Sequence, residues 1–136
     1  MIPYSRTYEH WAPAVARWIF GLLFLLGAFY KIIWHAAQVA ETAAAGVPLP
    51  EVAVWLAFIF ELVTGIALII GWKVRPIAFL LALYVLLLAF IFYHNFADPM
   101  IMGQFMSHMA FIAGLLYISV YGAQHVAVKK DSLPSA

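Results

Sequence analysis

The chain has no cysteine and very little charge. Without cysteine there are no disulfides, thiol nucleophiles, thiolate-held iron–sulfur clusters or cysteine-attached haem. Charged residues make up 10% of the sequence, where an ordinary soluble domain carries about a quarter. The net charge is only +1, so there is no basic stripe of the kind nucleic acid calls for. Low-complexity linkers and clear internal repeats are also missing. What fills the 136 residues is apolar, 67% hydrophobic and 17% aromatic. Such a chain cannot cover itself with polar surface, so its outside faces lipid or another protein. The length suits one compact unit, a single integral membrane domain over residues 1–136.

A spanning helix needs about 20 mostly apolar residues. Four stretches qualify, approximately residues 14–34, 52–72, 76–93 and 103–122. The expected fold is therefore all-α, a four-helix transmembrane bundle. Lys73-Val74-Arg75 reads as a tight turn with Pro76 at the first helical position. Asn95, Asp98 and Pro99 are turn formers between the third and fourth spans. The long link begins with the helix-forming AAQVAETAAA, so either the first helix runs past the membrane or a surface helix forms over 35–46, until Gly46 and VPLP stop it. Four spans put Arg6, Arg17, Lys73, Arg75, Lys129 and Lys130 on one side. Only Lys31 among the basic residues falls towards the other, with Glu41, Glu51 and Asp98. The positive-inside rule then predicts that both termini are cytoplasmic, with Arg17 snorkelling to the headgroups. Glu9 in the N-terminal flank and the length of the first apolar run argue against a cleaved signal peptide.

Polar residues inside the spans mark a candidate site. Glu61 lies near mid-bilayer in the segment FELVTG, where an ionised carboxylate costs several kcal/mol. It is either a neutral or Lys31-paired group that fixes helix register, or a carboxylate that handles protons or binds a ligand. Lys31, His35, His94, Gln104 and His108 gather towards the same half of the bundle. Helical spacing puts Arg17, Gly21, Phe24, Ala28, Lys31 and His35 on one face. Ala57, Glu61, Thr64, Gly65 and Leu68 share another, and Gln104, Ser107, His108, Phe111 and Gly114 a third. Small residues on such faces mark close helix contact in membranes. The expected interior is lined by spans one, two and four, with His94 reaching in from the rim and the Leu-rich third span facing lipid. The candidate ligand-binding residues are Lys31, Glu61, His94, Gln104 and His108, with Glu61 and His108 as candidate proton handlers. The histidines lack a compact metal-ligand spacing, so no metal site is expected. Met100, Met102, Met106 and Met109 read as packing residues.

Three stretches resemble the DoxX and DoxX-like family of small four-helix membrane proteins. These are ARWIFGLLFLLGAFYKI with Arg17, Gly27 and Lys31; FELVTGIALIIGWKVRPIA with its Glu, two glycines and basic turn; and HNFADP…GQFMSHMAFIAGLLYIS. Together they cover most of residues 16–122. Where the family pattern has Lys-Asn, this chain carries Ser107-His108, so a neutral or titratable His108 stands in place of a cation–carboxylate arrangement across spans two and four. The resemblance implies a multi-pass protein of a bacterial-type inner (plasma) membrane, linked to quinone-dependent redox complexes. The expected function is a subunit of such a complex whose polar cluster binds quinone or handles protons. The alternative is a non-catalytic structural or assembly subunit of a larger membrane complex or a homo-oligomer. A small transporter is a weaker third reading, because one four-helix chain has little room for a pore.

Overall fold

The computed structural model describes residues 6–123; Lys129 and Lys130, which contribute to the charge asymmetry, lie outside the described residues. Among the described residues five helices follow one another: α1 (Arg6–Ile33), α2 (His35–Ala44), α3 (Pro50–Ile70), α4 (Val74–Phe92) and α5 (Pro99–Tyr121). Among the described residues, four of them are long and apolar enough to cross a membrane, and α2 is the short exception. At about 1.5 Å per residue, α3, α4 and α5 run roughly 28–35 Å, which matches a hydrocarbon core of about 30 Å.

Local chemistry sets the helix ends. Gly71 takes a left-handed conformation (φ 81°), and its N–H and that of Trp72 both donate to the carbonyl of Ala67. This closes α3 and starts α4 within three residues, with Lys73 also left-handed at φ 45°. The helix begins at Val74, so Pro76 is its third residue rather than its first. That position is still inside the first turn, where a missing N–H removes no helical bond. The fourth span begins at Pro99 rather than near Gly103, because the Asp98 carboxylate accepts from Met100 N–H at 2.9 Å and caps the helix ahead of Pro99.

The bundle is built from two helix pairs, α1 on α3 and α4 on α5, joined along α3 and α4. The α1–α3 contact is close because Gly21 and Gly65 face each other. A Cβ on Gly21 would lie 2.7 Å from the carbonyl oxygen of Gly65, and one on Gly65 would lie 2.9 Å from that of Gly21. Phe20 of α1 bridges the pairs, its ring over Gly114 and edge-on to Phe111 of α5.

The expectation that the third span faces lipid is overturned. Val74, Ile77, Ala78, Leu81, Ala82, Val85 and Ala89 of α4 are all buried, whereas α5 buries only Leu115 and Ile118. Leu80, Leu83, Leu86 and Leu87, which give α4 much of its lipid-like composition, point outwards, and the inward stripe carries Ala78, Ala82 and Ala89, which let α5 approach. The packed core of α4, α5 and the end of α3 fills the half of the bundle near Lys73. The half near His35 holds Lys31 and His108, whereas the buried Arg17 lies in the other half.

Candidate functional site

An α-helical side chain tilts towards the N-terminus of its own helix. Since α1 and α3 run antiparallel, Lys31 leans towards the bundle centre while Glu61 leans back to meet it. The Lys31 ammonium lies 2.9 Å from Oε1 and 3.0 Å from Oε2 of Glu61. Tyr84 of α4 donates its hydroxyl to Glu61 Oε1 at 2.6 Å, and Phe60 packs against the Tyr84 ring at 4.9 Å. The carboxylate is 4% exposed and sits over Gly27, where a Cβ would come within 2.9 Å of Oε2. Glu61 is the twelfth of the 21 residues of α3, about 16 Å from its start, so the ion pair is near the middle of the span. A carboxylate held by an ammonium and a phenol has charge-assisted bonds, roughly twice as strong as neutral ones.

Two cavities flank this triad. The larger, about 420 Å³, is lined by Lys31, Tyr84, Tyr93 and His108, by apolar residues of α3 and α4, and at one end by Gln38, Glu41 and Thr42 of α2. The smaller, about 160 Å³, lies among Gly27, Glu61, His108 and the rings of Phe20, Phe24 and Phe111. His108 lines both. Its Nδ1 donates to the carbonyl of Gln104 at 2.8 Å, which leaves Nε2 as the acceptor of the neutral ring. The ring is held between Tyr93 at 4.7 Å and Phe111 at 6.1 Å.

Of the residues singled out from the sequence, Lys31 and Glu61 therefore touch directly and His108 shares their cavities. His94 and Gln104 are exposed and line neither cavity. His94 falls past the end of α4 in a turn where its carbonyl accepts from Phe96 N–H. Gln104 contributes its backbone carbonyl to His108 and not its amide. His35 belongs to a separate cluster at the rim, 2.7 Å from Glu51. Among the described residues, no three His, Asp or Glu side chains are grouped to hold a metal ion.

Two residues escaped the sequence reading. Tyr84 hides in a Leu- and Ala-rich run. The available signal was a lone phenol in mid-span, because a buried hydroxyl requires a partner. Gly27 was visible only as a fixed point of the first family-like stretch, and its role is to leave room for the carboxylate. Arg17 is a correction. It does not snorkel; it is 1% exposed and donates to the carbonyl of Leu68 at 2.9 Å. The next residue, Trp18, donates its indole N–H to the carbonyl of Ile69 at 3.0 Å. The last turn of any helix presents carbonyls without intrahelical partners and a negative dipole end, which a guanidinium satisfies well.

Comparison with known proteins agrees with this architecture. The chain is 32% identical over 120 residues to the inner membrane protein YqjF of Escherichia coli (strain K12), covering 86% of this chain and 88% of that protein. It is 31% identical over 80 residues to the inner membrane protein YphA of the same organism, covering 59% of this chain and 57% of that protein. No solved structure matches. The DoxX family model matches residues 12–94, a stretch that contains Lys31, Glu61 and Tyr84 but stops short of His108. The match spans more than half of the chain and holds the whole ion-paired triad, so this membrane protein belongs to the DoxX family.

Proposed function

We propose that this protein is a quinone-binding membrane subunit of a redox complex. It lies in a bacterial-type inner membrane, as its Escherichia coli relatives do by name, with both termini cytoplasmic. The observation that carries this reading is the cleft of about 420 Å³ beside the triad. Its volume is that of a small-ligand site, and its walls are mostly apolar with a few polar groups converging at the floor.

The donor set favours a neutral head group that accepts hydrogen bonds. An ammonium has three N–H donors. Two serve Glu61, which leaves Lys31 one for the cleft it lines. Because Glu61 neutralises Lys31, an anionic head group gains little net attraction, whereas a carbonyl gains a strong donor. His108 Nε2 on the opposite wall can accept or, once protonated, donate. A quinone supplies electron and proton carriage when bound; the residues here bind and orient its head and hold a proton at His108. Electron transfer itself belongs to a partner subunit.

The test is equilibrium binding of a short-tailed quinone to the protein in lipid nanodiscs. Losing one hydrogen bond is worth about 0.5–1.5 kcal/mol, so His108→Leu should weaken binding by roughly 2- to 12-fold. Absence of saturable binding, or indifference to His108→Leu, refutes the reading.

A second reading is favoured by one observation: both oxygens of Glu61 are already engaged, by Lys31 and Tyr84. In that case the triad only locks the bundle, and the exposed apolar surface docks a larger complex as an assembly subunit. Copurification in mild detergent separates the two. A partner that stays bound when no quinone is present and that dissociates on Glu61→Gln supports assembly.

A further inference from the structure

We propose that α2 is a lid over the cleft and that protonated His35 is its latch, a device that rests on the cleft being a ligand site. The helix is suited to move. None of its residues is buried. It is bounded by two breaks in helical conformation, Trp34 at φ −111° and ψ 34°, and Gly46 at φ 81°. Gln38, Glu41 and Thr42 of α2, with Val47 just beyond, form one end of the cleft, so displacing α2 opens that end.

The latch sits at the first residue of the lid. His35 Nε2 lies 2.7 Å from Glu51 Oε1, and Nδ1 lies 3.3 Å from the carbonyl oxygen of Lys31. A carbonyl and an ionised carboxylate only accept. A neutral imidazole carries one N–H, so only the imidazolium donates to both. Trp55 of α3 completes the cluster, its ring tilted 40° against the imidazole at 4.9 Å and its indole N–H donating to the same carboxylate oxygen at 3.1 Å. The other charged groups around His35 are committed elsewhere. The Lys31 ammonium of α1 is held by Glu61, and Glu41 of α2 and His108 of α5 face the cleft. Among the described residues, Glu51 is thus the one carboxylate bonded to the ring. Loss of the His35 proton removes one hydrogen bond and the charge attraction together, so the lid is held while the ring is protonated and released as rising pH removes the proton.

The natural lack of cysteine makes the test direct. Spin labels on Ala40→Cys in α2 and Ala97→Cys in the α4–α5 turn, both exposed, report the lid position in nanodiscs without ligand. The expected result is one short distance at pH 5.5 and growth of a longer one by pH 8. In Glu51→Gln, whose side chain is already exposed, the longer distance should appear at both pH values. In His35→Gln the distribution should no longer depend on pH. A distribution that ignores pH in the parent protein, or pH dependence that survives His35→Gln, overturns the latch. The distances need no quinone, so a moving lid with no quinone binding refutes only the ligand reading, and quinone binding with a fixed lid refutes only the latch.

Discussion

Replacing Lys31 with Met should expose how strongly the triad holds the bundle. The substitution keeps the stem but removes the ammonium, and the Glu61 carboxylate stays where it was, 4% exposed with Tyr84 as its remaining hydrogen-bond partner. Removing one member of a buried pair typically costs about 3–5 kcal/mol, because a buried charge is left behind. Removing the charge as well should reverse most of this. In Lys31→Met with Glu61→Leu, no charge is buried. What remains is an unserved Tyr84 hydroxyl, which costs about 1–3 kcal/mol. Adding Tyr84→Phe should then bring the chain back to within about 1 kcal/mol of the parent, since apolar replacements of a buried pair are often neutral. The assay is reversible unfolding in mixed micelles, followed by tryptophan fluorescence and analysed as a mutant cycle. The reasoning fails if Lys31→Met alone costs less than about 1 kcal/mol, or if the double substitution is no better than the single one.

Three further outcomes are expected. Gly27→Ala places a methyl 2.9 Å from Oε2 of a carboxylate that Lys31 and Tyr84 hold in place, and it should lower stability by about 1–3 kcal/mol in the same assay, with little loss in a Glu61→Ala background. Gly65→Leu drives a side chain into the backbone of Gly21 and into Leu25, so α1 and α3 should separate, read as loss of disulfide crosslinking between cysteines placed on the two helices. Arg17→Met leaves the Leu68 carbonyl buried without this donor and should cost about 1–3 kcal/mol; Arg17→Lys should recover only part, because a compact ammonium lacks the fork of the guanidinium.

Much of this arrangement was legible because lipid makes polarity conspicuous. Glu61 and Lys31 interrupt apolar helices, and helical spacing alone places them on faces that meet. The small residues beside them, Gly21 and Gly65, marked the α1–α3 contact for the same reason. Tyr84 was illegible because a phenol counts as apolar in composition and contributes its polarity through one atom. The role of α4 was hidden likewise: its leucines dominate the composition, while its alanines decide which face is inside. His94 looked like a rim residue because a span boundary drawn from hydrophobicity ran one residue past the real helix end. Arg17 was misplaced because the sequence shows that a cation is near a span end, but not that the end of another helix lies beside it.

The pairing of α1 with α3 also bears on how the chain is made. Arg17 and Lys31 are synthesised and delivered to the membrane before Leu68 and Glu61 exist there. A Lys or Arg at the centre of a helix in lipid costs about 2.5–3.5 kcal/mol on the insertion scale. The first span therefore completes its stay in lipid only when the third helix of the chain arrives, with its carboxylate and its open carbonyls, and the two are expected to leave the insertion machinery as a pair.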